Sequence, residues 1–314
     1  MNTSLIIKDL SINSPYIKGQ KNPVDNCWHF FTDGNRTGII YDAPADYQFG
    51  MNLIFILKHK YKVSVLAFVL MNTHFHFILY GNFDECAKFI KEYIRLTSQY
   101  VAYQYDRHKI LLGIKSGYTK IKDVEQLKTS IAYVLRNPVK AGMPFMVHTY
   151  PASSGALYFR AENHWFSSNL ENKCRNINII SRRNIKRQLH THFKFGPNVK
   201  LIGRLINPSQ YVEVEIVEKL FRSQKAFSAF CGQSCEDEVE GSDWKNHCLS
   251  INDTDLIKQR NEICLSKYNT LKITQLTAEQ RGEVARTLWF TNHCTMKQLA
   301  RVCYIKFDEL SNFI

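Results

Sequence analysis

The sequence predicts an α+β fold, with a ferredoxin-like antiparallel sheet that has helices on one face, followed by a mostly helical C-terminal region. Two observations predict it. In the first half, apolar patterns follow in the order strand, helix, hairpin, helix, strand, which is the order of a ferredoxin-like unit. In the second half, helical periodicity dominates. With 314 residues, 45% hydrophobic and 22% charged, the chain resembles soluble globular proteins larger than one usual domain.

The elements of the first half are bounded by turn residues and alternate between the two periodicities. A strand precedes the turn sequence Asp33-Gly34-Asn35, and two apolar runs on either side of a three-residue turn form a hairpin. The predicted elements are a strand at 28–32, a helix around 47–55, the hairpin strands at 62–70 and 74–80, a helix over 87–101 and a strand within 109–122.

A third helix is predicted to begin at Asp123, whose carboxylate can cap it. Leu127 and Val134 give this helix an apolar side, and Pro138 and Gly142 are predicted to close it. With helices on one face of the sheet, we expect the other face to be free for a site.

The rest of the chain divides by composition and periodicity. Residues 212–230 have helical periodicity, an acidic linker follows at 235–242, and the tail from 276 predicts helix, turn, helix, short helix. The tail resembles a helix-turn-helix, but its last segment contains Asp308 and Glu309, so a DNA-reading module and a plain packing domain both stay open. The predicted domains are an N-terminal extension (1–24), the main domain (25–165), a basic arm and helical middle region (166–270) and the C-terminal module (271–314).

Positive charge is in excess and is not spread evenly. The formal net charge is +13, which favours a polyanionic partner such as nucleic acid. Residues 173–200 contain no acidic residue and include Phe193 and Phe195, which could stack on unpaired bases. We therefore predict a nucleic-acid-binding arm here, with a solvated basic segment as the alternative. The predicted DNA contacts in this arm are Arg182, Arg183, Lys186 and Arg187.

Cysteine usage and hydropathy predict a cytoplasmic, nucleoid-associated protein with no membrane span. The nine cysteines are odd in number and scattered, which suits reduced thiols. The longest apolar run, residues 63–71, is far shorter than the ~20 residues that cross a bilayer. The first residues lack the pattern of a secretory signal.

The sequence His74-Phe75-His76 lies in a predicted strand, so its two imidazoles should point to one face while Phe75 points into the core. Such a pair can hold a metal, although two half-exposed surface histidines would give the same pattern. A second such pattern, His190-Thr191-His192, lies in the basic arm and predicts phosphate contacts or no function.

Several motifs, in order, resemble one family. The run 66–79 resembles the HUH segment of the REP-associated tyrosine transposases, members of the single-tyrosine transposase family, and 133–142 resembles the nucleophile helix of that family. The segments 28–32 and 150–154 resemble its first strand and closing motif. The resemblance covers about residues 25 to 160. Relatives have Pro and Asn where this chain has Asn72 and Thr73, and often His where it has Leu135.

The resemblance implies a metal-dependent nickase and strand transferase for single-stranded or hairpin DNA, with Tyr133 as nucleophile. It implies that His74 and His76 bind Mg²⁺ or Mn²⁺, ions that can act as a Lewis acid on the scissile phosphate. Asn137 lies one helical turn after Tyr133, so its amide oxygen could complete the metal site, or its side chain could cap the helix end.

In the same helix, Arg136 and Lys140 are predicted to contact DNA. Three other functions stay open: a non-catalytic or domesticated single-stranded nucleic-acid-binding protein, a helix-turn-helix regulator, and a nucleotide hydrolase with alternating histidines, for which Ile78 stands where a third histidine would fall. A homodimer is also left open.

Overall fold

The structure, a computed structural model, describes residues 24–32, 34, 38–105, 116–159, 174–232, 251, 253–292 and 294–314. The predicted acidic linker at 235–242, and all of the predicted N-terminal extension except Val24, lie outside these residues. Within the described residues, the cysteines whose side chains are placed are free thiols. Each helix that the structure describes is too short or too polar to cross a lipid bilayer.

The central sheet has four antiparallel strands in the order β2-β3-β1-β4. Helix α1 connects β1 to β2, and helix α2 connects β3 to β4, so the chain follows the ferredoxin-like order and the predicted fold class is confirmed. The elements are β1 (Cys27–Phe31), α1 (Pro44–Lys60), β2 (Ser64–Leu70), β3 (Phe75–Tyr80), α2 (Phe83–Tyr105) and β4 (Gly117–Lys120).

Side-chain alternation gives the sheet two different faces. On one face, the rings of Phe75 and Phe77 pack against Tyr93 of α2, with centroids 5.0 and 5.1 Å apart. Helix α1 packs beside α2 over the same face. The alternate residues, among them His29 and His76, point to the other face.

Helix α3 (Val124–Lys140) covers that other face, so the prediction of a free face is wrong. The Asp123 carboxylate accepts a hydrogen bond from the Gln126 backbone at 2.7 Å, which confirms the predicted cap. Leu127 and Val134 are fully buried. An amphipathic helix must bury its apolar side, and the apolar side chains of β2 supply the surface.

Helix α3 also continues through Pro138 to Lys140, whereas the sequence predicted that this proline helps to close it. Proline has no backbone N–H, so the Val134 carbonyl one turn earlier loses its helical donor. The side-chain amide of Asn137 donates to this carbonyl at 3.2 Å and to the Tyr133 carbonyl at 3.0 Å. The substitute donor explains why the helix tolerates the proline.

The predicted basic arm is a folded unit that packs on α1. It consists of β5 (Cys174–Asn176), α4 (Arg182–Leu189), β6 (Lys200–Ile202) and β7 (Leu205–Ile206), with the three strands in one sheet. The Asn52 side chain of α1 bonds to the Arg204 carbonyl at 2.8 Å and to the Ile206 N–H at 2.7 Å. Buried Leu189 and Leu201 join the main core, so the segment folds instead of extending into solvent.

Residues 212–230, predicted to be helical, form two helices because Arg222 adopts a left-handed conformation with φ 66°. Helix α5 (Val214–Phe221) packs on β2, and helix α6 (Gln224–Gly232) packs on α3. Both contribute to the main core.

The C-terminal helices have a core of their own. They are α7 (Asp253–Tyr268), α8 (Ala278–Thr291), α9 (Met296–Cys303) and α10 (Phe307–Leu310). The predicted boundary at residue 271 falls within this core, because α7 packs against α8 and α9. The last helix has only four residues, among them exposed Asp308 and Glu309.

Candidate functional site

Two histidines lie side by side where the β2–β3 hairpin meets α3. His76 is in β3, and His74 directly precedes that strand. Their ring centroids are 5.2 Å apart and the rings are nearly perpendicular. Both rings face α3, where His76 is near Tyr133 and His74 is near Asn137. The structure therefore brings together the four residues that the sequence placed in one site.

The ring of His74 is held from two sides. Its Nδ1 atom lies 3.1 Å from the Thr73 hydroxyl. On the other side, Gly34 is so close that a Cβ atom there would lie 2.6 Å from the same Nδ1 atom. Thr73 and Gly34 thus fix the imidazole, and a side chain at Gly34 would displace it.

The ring of His76 is held by a third histidine, His29, which the sequence analysis did not single out. Nε2 of His29 lies 3.0 Å from Nδ1 of His76, at hydrogen-bond distance. In the β1–β3 register, His29 is opposite Ile78 and diagonal to His76, on the same face of the sheet. Pairing the first strand with the third, as the ferredoxin-like order requires, would have identified it.

Burial keeps the imidazoles of His29 and His76 neutral. Burial lowers the pKa of His29 to about 4. Burial, followed by unfavourable electrostatic interactions with His74, His29 and Lys140, holds the pKa of His76 well below its usual value. Neutral imidazoles keep a nitrogen lone pair, which a metal ion requires.

The amide of Asn137 presents its oxygen to His74. Because its nitrogen donates to the Tyr133 and Val134 carbonyls, Oδ1 faces the histidine and lies 3.5 Å from Nε2 of His74. That distance is at the limit for a hydrogen bond. Two ligands that each lie ~2.1 Å from one divalent ion are roughly 3 to 3.5 Å apart, so the pair fits a shared ion. Among the described residues, no three His, Cys, Asp or Glu side chains are placed to hold a metal, which leaves the amide as the predicted third ligand.

Tyr133 lies on α3 one turn before Asn137, and its ring is half-buried beside the imidazoles. Its centroid is 5.8 Å from that of His29 and 5.7 Å from that of His76. The Lys140 ammonium lies 4.3 Å from the centre of the tyrosine ring. A cavity of about 360 Å³ adjoins the ring between α3 and strands β1, β3 and β4, and the side chains of Thr119 and Ser130 are part of its lining.

The tyrosines of α2 lie on the opposite side of the sheet. The Tyr100 and Tyr105 hydroxyls donate to the buried Asp46 carboxylate at 2.9 and 2.6 Å. Tyr93 is fully buried, and Tyr103 is 83% exposed on the outer side of α2. Of the tyrosines considered, Tyr133 is the one beside the histidines.

The other two predicted site residues of α3 differ in exposure, because Arg136 is buried and Lys140 is exposed. Arg136 is 7% exposed, and its guanidinium lies near Cys231 of α6, where it partly offsets the rise in thiol pKa that burial causes. Lys140 is exposed at the end of the helix. Leu135 is fully buried.

The predicted residues of the basic segment do not approach this site. Arg182, Arg183, Lys186 and Arg187 are exposed on α4, beyond α1 and α2. His190 packs against Tyr100, with ring centroids 5.4 Å apart, so the second histidine pair does not join the first.

Comparison with known proteins identifies a distant structural similarity but no family. No family model matches the chain, and no curated protein matches it. Among solved structures, the chain is similar to that of a REP-associated tyrosine transposase bound to a REP hairpin, with 18% identity and a TM-score of 0.32. The match covers 45% of this chain and 82% of the other. The similarity is distant.

Proposed function

We propose that this protein is a metal-dependent nickase and strand transferase for single-stranded DNA, with Tyr133 as its nucleophile. The observation that supports the proposal is the convergence of two imidazoles from the β2–β3 hairpin with an amide and a phenol from α3. The two imidazoles and the amide suit a divalent ion, and the phenol beside them suits covalent catalysis.

His74, His76 and Asn137 would hold Mg²⁺ or Mn²⁺ in the proposed site. If His74 donates from Nδ1 to Thr73, and His76 donates from Nδ1 to His29, both Nε2 atoms keep their lone pairs. The bound ion would supply Lewis acidity toward a non-bridging oxygen of the scissile phosphate.

In the proposed reaction, the Tyr133 phenol gives up its proton to solvent and its oxygen attacks phosphorus. The phosphorus–O3′ bond breaks, and the 3′ oxygen takes up a proton from solvent. The 5′ end is then attached to the protein as a phosphotyrosine, and a 3′-hydroxyl can reverse the step without an added energy source. The charge of Lys140, 4.3 Å from the ring centre, stabilises the negative charge that develops on the phosphate. Arg136 is buried, so the proposal assigns the phosphate contact in this helix to Lys140.

The position of the site favours an unpaired strand as substrate. Tyr133 and the histidines lie in the gap between α3 and the sheet, and the adjoining cavity has a volume of about 360 Å³. A duplex is too wide to enter such a gap, whereas a single strand can place one phosphate there. A hairpin with an unpaired flank satisfies the same requirement.

The decisive experiment is to incubate labelled single-stranded hairpin DNA with the protein and Mn²⁺ and to look for a denaturation-resistant adduct. We expect an adduct with the unaltered protein, none with Tyr133→Phe, and an undiminished one with Tyr103→Phe, since Tyr103 is exposed on the far side of the sheet. An adduct with Tyr133→Phe would refute the nucleophile. Binding of the DNA with no adduct in any variant would support a non-catalytic binding protein instead.

The metal is tested apart from cleavage. Without DNA, His74→Ala and His76→Ala should each weaken Mn²⁺ binding by roughly tenfold or more, measured by calorimetry. His192→Ala is the matched control, because His192 is exposed on the basic segment and should not matter. Equal Mn²⁺ affinity in all three variants would remove the metal from the proposal.

A further inference from the structure

Helix α4 presents one face that consists of cations. Arg182, Arg183, Lys186 and Arg187 are all exposed, while Leu189 is buried and Ile185 packs on the main core. Every other lysine and arginine between 174 and 212 is exposed as well, and this range contains no acidic residue. None of the four cations on α4 forms an ion pair with another described residue. We call these four residues the α4 surface.

The α4 surface is separated from Tyr133 by two layers of the fold. After α4, His190 packs against Phe49 of α1 and Tyr100 of α2, with ring centroids 6.1 and 5.4 Å away. Helices α1 and α2 cover the face of the sheet that is opposite to Tyr133. A helix layer and the sheet therefore lie between the two places, a separation of roughly 20 Å at ~10 Å per layer.

The folded basic segment, residues 174–206, exposes cations, but its phenylalanine rings pack on α1 instead of being available to stack on bases. The ring of Phe193 lies 5.9 Å from that of His59, and the ring of Phe195 lies 5.9 Å from that of Phe55, both on α1. These contacts use the aromatic residues that the sequence predicted would stack on bases. A surface of cations without free aromatic rings suits the regular phosphates of a duplex better than unpaired bases, which bind by stacking.

We propose that the α4 surface is a second nucleic-acid site, which binds double-stranded DNA through its phosphates, apart from the strand at Tyr133. Duplex binding there needs neither the metal nor the tyrosine, so it goes beyond the proposed cleavage function. A single strand of about five nucleotides held at Tyr133 spans roughly 17 Å when stacked and is too short to reach α4 around the sheet. A DNA molecule that has a single strand at Tyr133 and a duplex on α4 must pass around the edge of the sheet.

The test compares two variants that lose the same charge. One carries R182Q, R183Q, K186Q and R187Q. The control carries K88Q, K91Q, K219Q and K225Q, which are exposed cations of α2, α5 and α6. Binding is measured without metal, in a Tyr133→Phe background, to a roughly 20-base-pair duplex of arbitrary sequence over about 50–200 mM salt. Adduct formation is measured separately with a single strand of about five nucleotides in the Tyr133 background.

We expect the α4 variant to lose at least about tenfold in duplex affinity and about three to four in the slope of log affinity against log salt. The control variant should keep the slope, and adduct formation on the short strand should not change. Equal losses in both variants would indicate a net-charge effect and overturn the proposal. An unchanged slope in the α4 variant, or an equal loss for the short strand, would overturn it too.

A further experiment distinguishes duplex DNA from an anionic lipid surface as the ligand of the α4 surface, since both attract cations. Vesicles with anionic lipid should bind the α4 variant and the unaltered protein alike, because the apolar side chains of α4 pack inward. Loss of vesicle binding with intact duplex binding would overturn the assignment to DNA. Because duplex binding is measured without metal or Tyr133, failure of cleavage leaves this result standing, and the reverse holds as well.

Discussion

Each histidine of the proposed metal site has a protein partner at Nδ1. For His74 the partner is the Thr73 hydroxyl at 3.1 Å, and for His76 it is Nε2 of His29 at 3.0 Å. A partner that accepts from Nδ1 sets the tautomer and leaves Nε2 for a metal. The chain thus orients its first histidine with a hydroxyl.

His29 can be tested as a residue that positions His76. His29→Phe removes the acceptor while keeping an aromatic ring, so we expect Mn²⁺ affinity to fall about 10–100-fold. His29→Gln supplies a carbonyl oxygen as acceptor and should retain most of the affinity. Calorimetry without DNA measures both. If Gln and Phe weaken binding equally, His29 contributes packing alone.

Gly34 provides a steric test of the other histidine. In Gly34→Ala, the new Cβ would lie 2.6 Å from Nδ1 of His74 and 2.9 Å from the Thr73 hydroxyl, so the ring must move. We expect Mn²⁺ affinity to drop roughly tenfold while the fold persists. Gly196→Ala is the control, since nothing lies within 4 Å of a Cβ there. Unchanged Mn²⁺ affinity in Gly34→Ala would show that His74 tolerates a displacement.

The sequence could predict which residues meet at the site because their spacing on a strand and a helix is regular. His74 and His76 alternate with core residues, and Asn137 follows Tyr133 by one turn. His29 was missed because a lone histidine in a strand becomes informative only after the strands are paired. The roles of all these residues stay predictions.

Helix α3 differs from the predictions in two ways: it covers the sheet face that was expected to be free, and it continues through Pro138. Its apolar pattern showed that one side is buried but not which surface buries it, and β2 supplies that surface. Its passage through Pro138 depends on a side chain, the Asn137 amide, which replaces the missing backbone donor. Local patterns predicted the elements and their order, whereas the placement of α3 depends on tertiary packing.

Asn137 has a proposed role as a metal ligand and also donates a hydrogen bond to the Val134 carbonyl, and a second substitution can separate the two roles. Asn137→Ala should lose Mn²⁺ affinity and also about 1 kcal/mol or more of stability, because the Val134 carbonyl loses its donor. Adding Pro138→Ala supplies a backbone N–H to that carbonyl and should restore stability but not metal binding. Thermal unfolding and Mn²⁺ calorimetry report the two effects separately. Recovery of both properties in the double variant would show that Asn137 is structural only.

Across the whole molecule, the loop before α1 joins the two cores. Ile39 is buried in the C-terminal core, whereas Ile40 and Tyr41 are buried in the main core. Next along the chain, Asp42 pairs with Arg260 of α7 at 2.7 Å, and its other oxygen accepts from the Tyr304 hydroxyl. Both partners of the ion pair are almost fully buried.

This ion pair should be critical for stability. Arg260→Met leaves the Asp42 carboxylate buried without its cation, and we expect a loss of about 3–5 kcal/mol in the free energy of unfolding. Lys258→Met is the control on the same helix, because its ion pair with Asp255 is exposed and should contribute less than about 1 kcal/mol. Denaturant unfolding measures both. Equal stability of the two variants would contradict the assigned role of Arg260.

The same loop reaches the hairpin turn that precedes the proposed metal site. The Asn72 carbonyl accepts the N–H groups of Ile40 and Tyr41 at 2.7 and 3.1 Å, two residues before His74. A chain truncated before α7 would therefore expose Ile39, leave Asp42 without a counterion, and loosen the support of the first histidine. The C-terminal helices therefore cannot be transferred to another protein as an independent unit, because they depend on the matching loop from the first half of the chain.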